Sequence, residues 1–188
     1  LVLLSVSGMM LLVASRDVIT AYVALELSAL PAAALAAFLR TDRSLEAGLK
    51  FLLLSALSSA VLLYGLVYLY GATGTTDISG MLEAINGMTA DGGRAFGSSA
   101  IMLGVVMVVA GFGFKMAMAP FQMWVPDVYE GAPTPVVAFL SIASKSAAFA
   151  IVLRVLYTAL GTEGLAADWS TLIAILAAIT MTAGNLLA

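Results

Sequence analysis

The sequence predicts an all-α membrane protein, built as a bundle of transmembrane helices. Of its 188 residues, 62% are hydrophobic and 10% are charged, whereas a soluble domain has about 45–50% apolar and about 25% charged residues. Apolar runs near the roughly 20 residues that cross a bilayer recur along the chain. None of them shows the apolar–polar alternation of barrel strands. The soluble-enzyme folds are therefore excluded.

Three apolar runs predict the first three spans, at residues 1–15, 18–39 and 45–70. Arg16 and Asp17 predict a tight turn between the first two spans. Ser44 followed by Glu46, after a polar connector, is typical of a helix start. The chain begins without methionine inside an apolar run and stops inside another. We therefore expect it to be a fragment of a longer chain.

Three further spans are predicted in the second half of the chain, at residues 98–115, 136–160 and 169–188. The long polar stretch before them includes a short amphipathic surface helix over residues 78–85, for which Asp77 and Ser79 are both suitable caps. The Pro- and Gly-rich residues 126–135 predict a loop. Residues 161–168 predict a connector to the last span.

The chain has no cysteine and no histidine. Iron–sulfur clusters held by thiolates, Cys or His zinc sites, His-ligated haem and nucleophiles that depend on Cys or His all require one of these side chains. The net charge of −3 provides no basic patch for nucleic acid. Any function must therefore be performed by Lys, Glu, Asp and Arg, and by shape.

Glu26, Lys115 and Lys145 lie well inside predicted spans. A charged side chain there costs several kcal/mol when it faces lipid, so each should face the bundle interior, water or a partner. Lys145 lies about 14 Å from both interfaces at 1.5 Å per residue, which is too far to snorkel. Lys50 is near the start of its span, where snorkelling competes with a functional role. A static ion pair is the alternative for all four residues, Glu26, Lys50, Lys115 and Lys145.

Lysine suits proton transfer better than arginine, because arginine stays protonated. Glu26 and Lys115 form a candidate proton-holding pair, although the sequence alone does not place them in contact. Gly111 and Gly113 weaken the helix before Lys115, and Pro120 provides no N–H for the preceding turn. A broken helix in a membrane requires protein or water to satisfy its freed groups. A simple proline kink is the alternative.

A long motif, FKMAMAPFQMWVPDVYEGAPTP at residues 114–135, is followed by Ser144 and Lys145. It resembles the antiporter-like membrane subunits of NADH-quinone oxidoreductase (respiratory complex I). The VYEG at residues 128–131 favours the N subunits among them. Shorter matches cover LELSAL, RSLEAGLK and LYGATG, at residues 25–30, 43–50 and 69–74. Gln122 departs from the many relatives that have His there, and we expect it to bind water or backbone.

The resemblance implies two inverted five-helix units, with a broken helix in each. Residues 1–160 would form the first unit, of five spans, and residues 161–188 the truncated first span of the second. In this family the glutamate matching Glu26 pairs with the lysine matching Lys115. The lysine matching Lys145 passes protons along a central polar axis, and the one matching Lys50 is counted in the same pathway. These four residues are the expected proton-transfer sites.

The resemblance also implies a proton-translocating role without a cofactor on this chain. NADH, FMN, iron–sulfur clusters and quinone would be bound by other subunits. The expected partners are neighbouring antiporter-like subunits and the lipid bilayer. We expect a multi-pass protein of a bacterial inner membrane, with an organellar inner or thylakoid membrane also compatible. The alternatives are a Mrp-type cation/proton antiporter, a membrane-bound hydrogenase subunit or a purely structural scaffold.

Overall fold

The computed structural model describes residues 1–90 and 96–187. Helices dominate these ranges, which confirms the all-α prediction. The α-helices, in chain order, are α1 (Val2–Ala14), α2 (Val18–Ala36), α3 (Asp42–Thr73), α4 (Ile78–Ala90), α5 (Phe96–Met116), α6 (Trp124–Gly131), α7 (Thr134–Phe139), α8 (Lys145–Arg154) and α9 (Glu163–Leu187). A 3₁₀ turn, Phe121–Met123, precedes α6, and π-helical turns, Leu140–Ser144 and Val155–Ala159, flank α8.

Five helical segments in the described ranges are long and apolar enough to cross a membrane, by length and composition. They are Val18–Ala36, Asp42–Thr73, Ser99–Gly131, Thr134–Ala159 and Leu165–Leu186. The apolar α1 is shorter than the roughly 20 residues that a span needs. The predicted multi-pass membrane architecture is confirmed by these segments.

Small residues allow the helices to pack closely in two pairs, α1 with α2 and α3 with α5. A Cβ added to Gly8 would lie 2.6 Å from the backbone nitrogen of Ser28, and one added to Gly65 would lie 2.8 Å from that of Val108. The Ser5 hydroxyl also donates to the Ser28 carbonyl oxygen at 2.9 Å. Close backbone approach and interhelical hydrogen bonds stabilise helix pairs in a membrane, where no hydrophobic effect acts between helices.

The N-terminal regions of α2 and α4 meet and are joined by a backbone hydrogen bond. Val18 donates its N–H to the carbonyl oxygen of Thr76 at 3.0 Å. Asp17 caps α2, and the Asp77 carboxylate accepts the N–H of Gly80 at 2.7 Å. The predicted turn and the predicted Asp77 cap are confirmed. The amphipathic helix is longer than expected. Its apolar side packs into the core, and its polar side, which includes Glu83, is exposed.

Two predicted connections are wrong. Residues 126–135 were expected to form a loop, but α6 and the start of α7 occupy them. Pro126 lies in the first turn of α6, where no helical partner requires its missing N–H. Residues 161–168 were expected to be a connector, but α9 begins at Glu163. The N–H of Ala166 already donates to the carbonyl oxygen of Thr162 at 2.8 Å, so the helix starts earlier than its apolar run.

The Asp17 cap connects the first helices to the rest of the bundle. Burial would raise the pKa of Asp17, but hydrogen bonds from the Thr76 side chain and from the N–H groups of Thr20 and Ile19 hold it below its ordinary value. The carboxylate therefore stabilises the fold above the unfolded-state pKa of about 3.9. That contribution is lost as the pH falls through the lower folded-state pKa.

Replacing Asp17 with alanine should lower the free energy of unfolding by about 1 kcal/mol, because the N–H groups of the first turn of α2 lose their cap. Thermal unfolding of the full-length subunit in detergent measures the change. Asp17→Asn is the matched control, since asparagine caps as well as aspartate. It should keep the cap and lose only the contribution of the charge, so at neutral pH it should be more stable than the alanine variant and slightly less stable than the parent. An alanine variant as stable as the asparagine variant would contradict this account of the cap.

Candidate functional site

The membrane-spanning segment that contains Lys115 is broken directly after this residue. Helix α5 ends at Met116, and Ala117 adopts a left-handed backbone conformation, with φ of 58°. The N–H of Met118 reaches back to the carbonyl oxygen of Gly113 at 2.8 Å, and Ala119 precedes Pro120 in a cis peptide. We refer to residues 117–120 as the break. The predicted broken helix is confirmed.

Side chains from outside the helical ladder satisfy the backbone at the break. The Trp124 indole Nε1 donates to the carbonyl oxygen of Phe114 at 3.0 Å. The N–H of Ala119 donates to Thr180 Oγ1 at 3.0 Å. The Gln122 Oε1 atom is buried without a hydrogen-bond partner among the described residues. Water or backbone binding by Gln122 therefore stays a prediction.

Lys115 is buried, with 8% of its surface exposed. Its ammonium lies 5.9 Å from the centroid of the Phe51 ring. Phe51 packs edge-on against Trp124 at 5.0 Å between centroids, so an aromatic cluster lies beside the lysine. A ring face attracts a cation, most strongly where water is excluded. The face of the Phe51 ring therefore helps to stabilise the charge of Lys115.

Glu26 is the acidic group that interacts electrostatically with Lys115. It is half-buried on α2 and accepts a short hydrogen bond from the Ser59 hydroxyl. Ser59 also lies 3.0 Å from the Tyr22 hydroxyl. In the described ranges, the ion pairs with N···O within 4.0 Å do not include Glu26 with Lys115. The structure brings the predicted pair into one neighbourhood without a direct bond.

Lys145 is half-buried at the first position of α8, directly after the π-helical turn Leu140–Ser144. Its ammonium donates to the Tyr129 hydroxyl at 3.2 Å and lies 5.5 Å from the centroid of the same ring. π-helical turns occur frequently at functional sites. Tyr129 belongs to α6, which follows the break in the same membrane-spanning segment as Lys115. This segment therefore contacts Lys145, which lies in the next one.

Lys50 lies in an open charged cleft between α3 and α6, with about 40% of its side chain exposed. Its ammonium is 2.7 Å from Glu46 and 3.0 Å from Asp127. The cleft has a volume of about 170 Å³, and Glu130 and Arg43 complete its charged lining. Lys50 therefore differs from the buried Lys115, because its charge is paired with carboxylates in an open cleft.

Sequence reasoning missed Asp127 and Tyr129 as partners of the lysines. Both lie in the segment that was expected to be a loop, so no helix face was assigned to them. Their polar character within the long motif was the available signal. Thr180 and Ser59 were also missed, because isolated hydroxyl residues in a span most often serve packing or bond to their own helix.

The fold and this site define the class: an antiporter-like membrane subunit with a broken helix next to a buried lysine. The chain belongs to the family described as NADH:quinone oxidoreductase/Mrp antiporter, TM, whose model matches residues 15–188. It is 48% identical over 182 residues to NADH-quinone oxidoreductase subunit N of Heliobacterium modesticaldum, covering 96% of this chain and 36% of that protein. It is 47% identical over 188 residues to subunit N of Desulforamulus reducens, covering 100% of this chain and 38% of that protein. These matches confirm the resemblance to the N subunits.

Solved structures of complexes show the same architecture. A chain of respiratory complex I from Thermus thermophilus with bound aureothin superposes with a TM-score of 0.79 at 38% identity, covering 99% of this chain and 38% of that chain. A chain of the Mrp complex from a Dietzia species superposes with a TM-score of 0.70 at 22% identity, covering 84% and 28%, and supports the fold alone. This chain spans 36–38% of the length of the two curated relatives above.

Replacing Trp124 with phenylalanine should lower the free energy of unfolding by more than the contribution of one hydrogen bond, about 0.5–1.5 kcal/mol. The bond to the Phe114 carbonyl is lost, and the smaller ring leaves a cavity at this buried site. Thermal unfolding of the full-length subunit tests this. Tyr157→Phe is the control, since the Tyr157 side chain is largely exposed, and it should change stability little. Equal stability of Trp124→Phe and the parent would show that the indole bond does not stabilise the break.

Proposed function

We propose that this chain is part of a proton-translocating membrane subunit of NADH-quinone oxidoreductase. The observation that supports the proposal most is the burial of Lys115 at a break in a membrane-spanning helix, with Glu26 nearby. The N-subunit relatives, 42–48% identical, favour this complex. The redox chemistry with NADH, FMN, iron–sulfur clusters and quinone would take place on other subunits. This chain has no Cys or His to ligate an iron–sulfur cluster.

Glu26 and Lys115 would act as a proton site whose occupancy depends on their separation. In a low-dielectric interior, a nearby carboxylate changes the energy of a charged ammonium by several kcal/mol, and the effect falls with distance. Bringing Glu26 closer would favour a protonated Lys115, and moving it away would favour release of the proton. Lysine can perform this exchange, whereas arginine cannot.

The proton path would run through the broken segment. Ser59 and Tyr22 provide hydroxyls next to Glu26, and Tyr129 provides one next to Lys145. Hydroxyl groups both donate and accept hydrogen bonds, so they can order water between sites that exchange protons. Lys145 would thus receive protons from the side of the break on which α6 lies.

Lys50 would act at the outer end of this system. Its partner Asp127 is two residues from Tyr129 on α6, so the charged cleft lies close in sequence to the Lys145 site. A neighbouring antiporter-like subunit would continue the polar axis beyond Lys145. The four expected proton-transfer residues therefore fall into three sites. They are the half-buried Glu26 with the buried Lys115, an intermediate site at Lys145, and a surface cleft at Lys50.

Replacing Lys115 with methionine should stop proton translocation through this subunit while NADH oxidation continues. A positioned acid–base group contributes about 10²–10⁴-fold to a proton-transfer step, so methionine would leave the step too slow to accompany electron transfer. The ratio of protons moved to NADH oxidised, in vesicles with the complete complex, measures the effect. Glu83→Gln serves as the control, because Glu83 is exposed on α4. An unchanged ratio in a normally assembled Lys115→Met complex would remove the proposal for this residue.

Replacing Glu26 with alanine should reduce proton translocation more than assembly, because the carboxylate near Lys115 is lost. Glu26→Asp should do less harm, since the charge survives. Quantifying the assembled complex by native gel, beside the proton-to-NADH ratio, separates the two effects. Poor assembly of Glu26→Ala with a normal ratio in the assembled fraction would instead assign Glu26 a structural role.

A Mrp-type cation/proton antiporter is the second candidate function, because the family includes both classes and the Mrp complex has the same fold. A membrane-bound hydrogenase subunit and a static scaffold are the remaining alternatives. Neighbouring genes for hydrophilic redox subunits would favour the complex I assignment over the antiporter. Unchanged proton movement after replacement of both Lys115 and Lys145 would favour the scaffold.

A further inference from the structure

The break is held by a hydrogen bond from a helix outside its own span. The N–H of Ala119, a residue that is only 3% exposed, donates to Thr180 Oγ1 on α9 at 3.0 Å. The Thr180 hydroxyl donates in turn to the carbonyl oxygen of Leu176 on its own helix at 2.6 Å. Its single proton is therefore engaged within α9, and its oxygen is free to accept from the break.

The amide that Thr180 binds is the one that the break sets free next to Lys115. In a continuous helix the N–H of Ala119 would donate to the carbonyl oxygen of Lys115, four residues earlier. The left-handed backbone at Ala117 ends that ladder, and the N–H of Met118 pairs with Gly113 instead. A buried N–H without a partner is expensive in a membrane. Thr180 replaces the missing helical acceptor.

Few residues of helix α9 are buried against the rest of the described structure. Only 6% of its membrane-spanning window, within Leu165–Leu186, is buried in the described structure. Its apolar contacts with the core come from residues up to Leu176, and near its start the Trp169 indole donates to the carbonyl oxygen of Leu160 at 2.9 Å. Thr180 lies beyond these contacts. Its bond to Ala119 therefore fixes the part of α9 that faces the break.

We propose that Thr180 is a positioning residue for proton transfer. Its hydroxyl holds the break in the observed conformation, in which the helical hydrogen bonds are interrupted, and thereby fixes Lys115 relative to Glu26. Loss of the hydroxyl frees the Ala119 amide, so the break rearranges and the separation of Glu26 and Lys115 changes. This inference rests on the proposed proton-transfer role of Lys115. It adds a residue on α9, in a different span, to the residues on which that role depends.

Thr180→Val tests the inference, because valine has the shape of threonine without the hydroxyl. Thr180→Ser keeps the hydroxyl. Thr182→Val is the matched control, since Thr182 is exposed on the same helix and its hydroxyl bonds only to the Ala178 carbonyl oxygen at 2.9 Å. Each variant is placed in the full-length subunit within the complete complex.

Two readouts are compared: hydrogen exchange of peptides that cover residues 114–124, and the pH profile of the proton-to-NADH ratio. Exchange in these peptides should rise about fivefold in Thr180→Val, the equivalent of one net hydrogen bond. The ratio should also fall and its pH profile should shift. Thr180→Ser and Thr182→Val should match the parent in both readouts.

Unchanged exchange in Thr180→Val would overturn the inference, as would raised exchange with an unchanged ratio and pH profile. If Thr180→Val does not assemble, Thr180→Ala takes its place. Failure of both beside normal assembly of Thr180→Ser would assign the hydroxyl to folding and not to positioning. Lys115→Met is measured in parallel, because a normal ratio there removes the proposed function while the exchange data still decide whether Thr180 holds the break.

Discussion

The charge of Lys115 is the constraint on which the rest of the site depends. An ammonium buried in a membrane-spanning helix is costly unless neighbouring groups stabilise it. Here the stabilising groups come from three other parts of the bundle: Glu26 on α2, Phe51 on α3 and, through its packing on Phe51, Trp124 on α6. The close packing of small residues between α3 and α5 keeps these helices near enough for all of them to contribute.

The break turns this buried charge into part of a longer polar system. A continuous helix would satisfy its own backbone and would leave no reason for groups from other helices to approach. The break instead draws the Trp124 indole and the Thr180 hydroxyl to backbone groups on both sides of Lys115. It also redirects the chain into α6, whose Tyr129 bonds to Lys145 and whose Asp127 bonds to Lys50. One interruption of the helical ladder therefore connects the three lysines.

Five of the six predicted spans and the break were predictable from the sequence, because long apolar runs and a glycine–lysine–proline pattern each have a local physical cause. The helix in the first predicted span, α1, is shorter than a span needs. The loop expected at residues 126–135 was wrong, because proline and glycine disfavour a helix interior but not its first turn or its end.

The partners of the lysines were not predictable. Tyr129, Ser59 and Thr180 act across helices, and a hydroxyl in a span has no sequence signal that separates a bond to another helix from one to its own. Their roles in proton transfer stay predictions, as do those of the four charged residues and the division at residue 160.

If Glu26 and Lys115 form a proton-transfer site, their protonation changes during turnover. Infrared difference spectra of the complete complex, recorded between the oxidised and the NADH-reduced state, measure this directly. We expect a carboxyl signal that disappears in Glu26→Ala, shifts in Lys115→Met and is unaffected by Glu83→Gln. A spectrum of the parent complex without any signal that depends on Glu26 or Lys115 would contradict it.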